Sequence, residues 1–591
     1  MSTVAQPPMY GWDSIPWKKH RRSVFKLQKR IYRATLQGNG KSVRKLQRLL
    51  MSSRAARFLA VRRVAQDNAG KKTAGVDGVK SLTKHQRLRM AQSLRIDGSA
   101  KPVRRVWIDK PDSEEKRPLG IPVMVNRARQ TLVKEALEPE WEARFEANSY
   151  GFRPGRSCHD AVAAIFTAIK QTAKYALDAD IAKCYDRIEQ RALLDKVNAS
   201  PFVRRQIKAW LKAGVLDGEQ LYPTEEGVMQ GSPLSPLLAN IALHGLETAI
   251  VESFPRRRGF SPPSVVRYAD DFVILHADKQ IIEQCAEVAR EWLEPLRLTL
   301  KASKTRIAHT LEKVDGQAGF DFLGFNIRQY KVGRTKSGKQ AGGKRLGFKT
   351  LIKPSPKAIG KQVQKLREVI SSQTARQEYL IAALNRVIPG WANYYSTVVS
   401  KKTFASIDHR LFLMLCAWAK HRHPNKGKRW SYQRYWKKND EQVIVFRPPA
   451  GPPQLYPHDS TRIRRHVKVQ AKRSPYDGDW LYWGTRRGRS PDAPPRVAKL
   501  LRKQRGRCIE CGLYFRDGEA MEVDHINPQA RIGKGAYYNL TLVHGYCRKQ
   551  REAEFTRPAG TYDKRQEFEE PYEGKLSRTV LKPSGGGDPV A

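Results

Sequence analysis

The chain has 591 residues, with 110 Lys+Arg against 57 Asp+Glu and a formal charge of +53. That length exceeds what one hydrophobic core supports, and so large a basic excess calls for a polyanionic partner, polyphosphate backbone being the obvious one. A secreted or membrane-spanning protein is not expected: Gln6-Pro7-Pro8 stands where a signal peptide would have its apolar block, the best apolar run (411–419) has core-helix length, and four of the seven cysteines are widely scattered, as in a reducing compartment.

In chain order, residues 1–75 read as a basic helical extension. Val24, Leu27 and Ile31, then Val43, Leu46 and Leu50, recur at helical spacing among lysines and arginines. Gly75-Val76-Asp77-Gly78 is a turn signal. Residues 104–110 and 117–122 read as two strands joined by a polar turn. Such a ribbon, carrying Lys110 and Arg117, could fold over a triphosphate, where cations offset charge on a leaving pyrophosphate; a solvated basic hairpin is the plainer alternative. Residues 126–141 have a helix pattern, and Ser149-Tyr150-Gly151-Phe152-Arg153-Pro154-Gly155-Arg156-Ser157 is a loop with Arg153 and Arg156 available to phosphates.

Apolar and polar positions alternate over 175–180, as in a strand that ends with Asp180 at a cleft. Pro233 and Pro236 stop regular structure before a helix at 237–246. Residues 264–276 place two apolar arms around Tyr268-Ala269-Asp270-Asp271, the pattern of a strand, a tight turn and a returning strand. Adjacent carboxylates repel each other, and a divalent cation held by oxygens offsets the repulsion; a solvated Asp-Asp turn is the bland alternative. If the strand ending at Asp180 lies beside this hairpin, Asp180, Asp270 and Asp271 converge on a pair of cations. Such a pair clamps both the attacking and the leaving oxygen of a phosphoryl transfer, the chemistry of nucleotide polymerisation.

A helix is expected over residues 279–293, then an exposed Gly- and Lys-rich loop (331–352), then an all-helical region (353–440) whose basic residues and aromatics suit structured RNA. From 441 to 495 the composition reads as a linker with a basic DNA-binding stretch, Arg462-Ile463-Arg464-Arg465-His466. Within 496–560, Cys508, Cys511, His544 and Cys547 form two pairs with two-residue spacing, enough for a closed tetrahedral zinc site. Unligated thiols would leave that clustering unexplained. The tail, 561–591, reads as disordered.

These pieces stand in the order found in group II intron-encoded proteins, which the chain resembles over about residues 10–560. Tyr268-Ala269-Asp270-Asp271 looks like the catalytic turn of reverse transcriptases. Gly227-Val228-Met229-Gln230-Gly231-Ser232-Pro233-Leu234-Ser235-Pro236-Leu237-Leu238 resembles the block before it, and 298–305 and 319–325 the two blocks after it. Residues 384–395 and 422–426 with Trp430 resemble the thumb, or maturase, domain. Glu522-Val523-Asp524-His525-Ile526 and Tyr538-Asn539-Leu540 are similar to an HNH nuclease module.

The resemblance implies an α/β (α+β) fold of the right-hand polymerase type: fingers and palm over 76–330, a helical thumb, and a small zinc-bound ββα module. It implies that Asp180, the backbone of Ile181, Asp270 and Asp271 hold two Mg2+. Lys110, Arg117, Tyr185, Gln230 and Gly231 would bind the deoxynucleoside triphosphate, the Tyr185 ring excluding a 2′-hydroxyl by shape. Arg153, Arg156, Lys304 and Gly324 would meet primer or template. In the HNH-like module, Asp524 would hold a cation, His525 activate water and Asn539 orient the histidine-bearing loop. The family pattern also requires a histidine directly after the last cysteine, where this chain has Arg548, and no histidine follows His544. A guanidinium cannot coordinate a cation, and Glu552 or Glu554 would be a weak rescue, so the module is expected to fold and bind DNA but to nick poorly or not at all.

The expectation is an RNA-directed DNA polymerase and maturase that binds a structured group II intron RNA, assists its splicing and copies it into DNA from a target-DNA primer. It would use Mg2+ and a structural Zn2+ and reside in a bacterial cytoplasm, nucleoid-associated when on DNA, with a homodimer allowed. Two alternatives differ in class. A splicing cofactor with a dead polymerase is disfavoured by the intact carboxylate and nucleotide set, and a reverse transcriptase of a defence or diversity-generating system by the thumb block and the HNH-like module.

Overall fold

The computed structural model of the chain describes residues 11–551, apart from 110–114, 341, 372–375, 440, 450–452, 471, 492, 517–518, 528–536 and 549–550. Lys110, Glu552, Glu554 and the tail expected to be disordered therefore lie outside the described residues. Among the described residues no helix is long and apolar enough to cross a membrane.

The strands in chain order are β1 (Val103–Asp109), β2 (Lys116–Ile121), β3 (Tyr175–Asp180), β4 (Val215–Asp217), β5 (Gln220–Tyr222), β6 (Ser264–Tyr268), β7 (Asp271–His276) and β8 (Arg306–His309). They form two sheets, β2-β1-β4-β5 and β6-β7-β3-β8, the second antiparallel throughout. Along β7, Phe272 and Ile274 join one core cluster while Val273 and Leu275 join another, so the period of two sends alternate side chains to opposite faces. Helix Lys279–Leu293 covers the first face with Ile282, Ala286 and Ala289, and helix Cys158–Ile169 covers the second with Val162 and Ile165. With both faces covered, this sheet is a rigid floor; each of these large side chains contributes about 1.5–3 kcal/mol by burial.

Behind it runs the long helix Met124–Arg144, which outruns the expected 126–141 and contains Pro139. It packs against helices Trp17–Leu36 and Arg54–Arg62 of the basic extension. Glu135 is enclosed on this helix, and burial pushes its carboxyl from 4.5 to about 7, against the pull of Arg63 and with help from Glu138. The unfolded chain ionises first as pH rises, so stability is lost between pH 4.5 and about 7. Glu135→Gln removes that loss: its melting should match wild type near pH 4.5 and exceed it at pH 8 by about 1–3 kcal/mol, one pKa unit being about 1.4 kcal/mol.

The helix expected at 237–246 is two helices, Ser235–Ala242 and Leu246–Ser253, broken at Gly245, whose φ is +102°. Pro236 lies in the first turn, where its missing N–H costs nothing. Helix Lys279–Leu293 has the expected limits. A third sheet follows, β9 (Phe320–Phe322), β10 (Phe325–Lys331) and β11 (Phe348–Pro354), so the expected loop over 331–352 begins and ends in strand. Helices Pro356–Ser371, Gln377–Tyr395, Lys401–Arg422 and Lys428–Tyr435 then pack around Leu366, Leu380, Leu384 and Leu411.

Residues 441–495, expected as a linker, are packed. Strands β12 (Trp436–Lys438) and β13 (Ile444–Phe446) pair, and His458 is fully buried, contacting Gln362 and Asp408. Tyr476 donates to Glu138 on the long helix at 2.6 Å. Buried Asp160 takes His466 at 3.0 Å and Arg486 at 2.5 and 2.6 Å. Pro and Gly make this strap irregular, but its aromatic and charged anchors lie in the interior. The C-terminal hairpin, β14 (Met521–His525) and β15 (Leu540–His544), puts Leu540, Leu542 and Val543 into the same core as the first helices.

Candidate active site

Strands β3 and β7 pair in the register Asp180↔Asp271, and β6 and β7 close on Tyr268↔Asp271. The register brings three carboxylates from two distant segments to one corner of the floor. Burial, then the charges of Asp270 and Asp180, hold the Asp271 carboxyl above the usual range. Asp270 is raised as well, by burial and by Asp180, against the pull of Lys304 and Arg117. Lys304 Nζ lies 2.5 Å from Asp180 Oδ2, and that contact raises its ammonium. The corner is short of positive charge, and its donors are carboxylate oxygens, hard ligands that suit Mg2+. Ile181 follows directly, its backbone bridged to Leu300, while the Asp180 backbone carbonyl accepts from Lys301 N at 2.8 Å. Oxygen donors gathered in this way are the donor type that divalent cations take in phosphoryl transfer.

The hairpin apex is braced from below. Ala269 adopts φ +58°, as a two-residue hairpin turn requires. Buried Arg267 donates to the Ala269 carbonyl and to Asn240 Oδ1, both at 3.1 Å, and Asn240 donates to the Gly151 carbonyl at 2.8 Å. A Cβ on Gly151 would meet Ala269 N at 2.4 Å, so only glycine lets the 149–157 loop press on the turn. Sequence reasoning missed Arg267 and Asn240. A charged residue between Val266 and Tyr268 in an apolar strand was the signal.

On the opposite wall, Tyr185 is half-buried and its carbonyl accepts from Val228 N at 2.6 Å. Gln230 Nε2 donates to Asp186 at 3.3 Å, and its carbonyl accepts from Gly120 N at 2.7 Å. Gly231 has φ +101°, and a Cβ there would meet Gly120 O at 2.9 Å. The ribbon strand β2 is thus seated on the Gln230-Gly231 turn. Arg117, exposed on β2, is close enough to act on Asp270. The structure gathers Asp180, Asp270, Asp271, Arg117 and Lys304 around one corner, and stacks Gln230 and Gly231 on the ribbon.

Arg153 and Arg156 are not presented as expected. Arg153 forms a two-point pair with Glu142, at 2.8 and 3.0 Å, and donates to the carbonyls of Glu146 and Ser149. Arg156 donates to the carbonyls of Ala147 and Arg473 at 3.2 Å, and burial lowers its guanidinium to about 10. Both hold the loop together instead of reaching for phosphates. Gly324 (φ +83°), with Leu323 (φ +51°), makes the β9–β10 turn, and their carbonyls accept from the Tyr395 and Tyr394 hydroxyls. That turn is tied to helix Gln377–Tyr395.

In the C-terminal module, the ligand atoms of Cys508, Cys511, His544 and Cys547 all lie within 4.8 Å of one another, and all four residues are buried. That spacing and donor set fit tetrahedral zinc. Asn539 Oδ1 accepts from Asn527 N at 2.8 Å and its amide donates to the Asn527 carbonyl at 3.0 Å, fixing the turn after half-buried His525. Asp524, expected to hold a cation, is ion-paired with Arg551, and Glu522 with Arg548 at 3.4 Å. Two guanidiniums thus neutralise the two carboxylates of β14.

Residues 12–94 match the N-terminal domain of reverse transcriptase and residues 108–327 the family described as Reverse transcriptase (RNA-dependent DNA polymerase). Residues 360–436 match Group II intron, maturase-specific domain, and residues 508–554 match HNH endonuclease. The chain is similar to protein YkfC of Escherichia coli (strain K12), 32% identical over 345 residues that span 51% of this chain and 88% of YkfC. It is also similar to the group II intron-encoded protein LtrA of Lactococcus lactis subsp. cremoris, 33% identical over 248 residues, 41% of each chain. A 91 kDa protein in the cob intron of Schizosaccharomyces pombe is 27% identical over 372 residues, 52% of this chain and 44% of that one. The matched region thus spans less than half of the last two relatives.

Proposed function

The chain belongs to the group II intron-encoded reverse transcriptase and maturase family, and from that premise we propose that it binds a structured intron RNA, assists its splicing and copies it into DNA. The observation that carries the reading is the Asp180↔Asp271 register, which places Asp180 against the Asp270-Asp271 turn. Asp180, Asp270, Asp271 and the Ile181 backbone would hold Mg2+, which when bound activates a primer 3′-hydroxyl and offsets charge on the leaving pyrophosphate. Arg117 on β2 would take the triphosphate, Lys304 would balance Asp180 at the primer side, and the Tyr185 ring would close the space a 2′-hydroxyl needs. Lys110 is assigned to the triphosphate by resemblance alone.

Target DNA is proposed as a second partner. Arg462, Arg464 and Arg465 are exposed on the strap, whose backbone is pinned by the Arg464 N to Ser396 O bond at 2.8 Å. Guanidiniums on a pinned strap suit phosphates, and binding there should weaken steeply with salt. Cys508, Cys511, His544 and Cys547 would hold a structural zinc.

The reading is tested by primer extension on an RNA template with deoxynucleotides and magnesium, run beside intron-RNA binding. Extension by the wild type is expected; tight RNA binding with no extension would leave a splicing cofactor. A nicking assay on the DNA target belongs beside it. We expect no cleavage above background, because Arg548 and Arg551 neutralise Glu522 and Asp524. Nicking that requires magnesium and is lost in His525→Ala would overturn that expectation.

A further inference from the structure

Arg21, on the first long helix (Trp17–Leu36), is only 5% exposed because its guanidinium enters the C-terminal module. There it donates to the Tyr546 hydroxyl, pairs with Glu519, reaches the Tyr514 carbonyl at 3.4 Å and lies 2.9 Å from His544 Nε2. Contacts also run the other way. Arg62 of the extension lies over both Trp17 and Tyr546, at 4.5 and 4.7 Å, and Arg516 of the module lies 4.1 Å over Phe25 and donates to the Arg21 carbonyl.

The two nitrogens of His544 face different partners. Nδ1 is turned to the thiols, 3.4 Å from Cys511 Sγ and 3.9 Å from Cys547 Sγ. With Nδ1 given to a metal, the ring proton sits on Nε2 and Glu519 Oε2 at 3.3 Å is placed to accept it, so Arg21, which can only donate, is tied to the ring through that carboxylate and not by a bond to Nε2. Glu519 holds Arg21 with its other oxygen. A continuous chain of contacts therefore runs from the four-ligand cluster through His544 and Glu519 to the first helix.

We infer that the zinc-type centre of this protein acts as a latch that fixes the N-terminal extension to the rest of the chain, with Arg21 and Glu519 as positioning residues that carry the orientation of His544 across the boundary. The inference rests on the zinc reading above and gives the module a task independent of DNA cleavage, in keeping with its carboxylates being held by Arg548 and Arg551. Without a metal, the four ligands are free to rotate, His544 loses its fixed position, and the buried Arg21–Glu519 pair loses the ring that braces it. The helix that carries Arg21 then has reason to leave. The extension is a basic surface suited to RNA, so zinc occupancy would set how that surface is presented.

The test uses the full chain, metal analysis and amide hydrogen exchange. One zinc per chain is expected in the wild type. Chelation should speed exchange across Trp17–Leu36 by about tenfold or more while helix Lys401–Arg422 stays protected. Arg21→Ala and Glu519→Gln should reproduce that loosening with zinc still bound. Zinc that leaves while Trp17–Leu36 keeps its protection overturns the latch, and so does loosening of both helices together, which would mean general unfolding. Purified protein that binds no zinc overturns the zinc reading itself and the latch with it. If Arg21→Ala does not fold, chelation of the wild type still decides.

Discussion

Asp270→Asn is expected to lower deoxynucleotide incorporation on an RNA template by about 10³-fold or more, leaving intron-RNA affinity unchanged. The substitution keeps the size of the side chain at the apex of the β6–β7 hairpin and removes one of three clustered charges. Cation affinity falls because a neutral amide oxygen replaces a carboxylate, and the charge available to offset a leaving pyrophosphate falls with it. Single-turnover incorporation at saturating template isolates this effect from binding. A second outcome distinguishes a site residue from a structural one. Burial raises both Asp270 and Asp271, helped by the charge of Asp180 at the first and of Asp270 and Asp180 at the second, so at neutral pH their charges oppose folding when no cation is present. Asp270→Asn should therefore melt at or above the wild-type temperature in chelator. Retained extension would move the chemistry away from this corner, and a large loss of stability would make the residue structural.

Arg153→Ala should cost about 3–5 kcal/mol of stability, the usual result of removing one partner of a buried ion pair. The side chains of Arg153 and Glu142 are 2% and 0% exposed, so truncation leaves a buried carboxylate without its two-point partner. The same guanidinium holds the Glu146 and Ser149 carbonyls, so the 149–157 loop would loosen and with it the pressure of Gly151 on the Ala269-Asp270 turn. Denaturant melting measures the cost, and Arg153→Met combined with Glu142→Leu should recover much of it because the orphaned charge is gone. Template affinity and its salt slope should not change in proportion. A variant with normal melting and weakened, less salt-sensitive template binding would restore the expectation that Arg153 meets a phosphate.

Arg153 also marks where the sequence stops being legible. The carboxylate corner could be read because its signals are local: an alternating strand that ends at Asp180, and a hairpin that carries Asp270 and Asp271 at its tip. Pairing of β3 with β7 was the one long-range step, and two apolar strands with carboxylates at their ends leave few other arrangements. The buried partner of Arg153 had no such signal, because Glu142 sits on a helix whose other acids look equally suited to solvent. An arginine in a Gly/Pro loop reads as exposed until the opposing carboxylate is known. The strap over 441–495 was misread for a related reason, since Pro and Gly report irregular backbone and say nothing of burial, while Tyr476, Trp483 and His458 fill the interior. In the HNH-like module, Arg548 was visible as a lost metal ligand, but the pairing of Arg551 with Asp524 depends on where Arg551 lies against the β14–β15 hairpin.

The contact between Arg21 and His544 joins residues 523 positions apart. At synthesis rates of about 5–20 residues per second, the first helix waits roughly half a minute to a minute and three quarters before its last partner exists. Trp17, Val24 and Ile31 can settle on helix Met124–Arg144 well before that, since they share its core cluster. The face around Arg21 cannot. The order of assembly follows: a polymerase-like body forms first with one open patch on its earliest helix, and the module made last closes it. Nascent chains stalled or truncated ahead of the second cysteine–histidine pair would carry that patch exposed, a foothold for chaperones or for an early-arriving RNA.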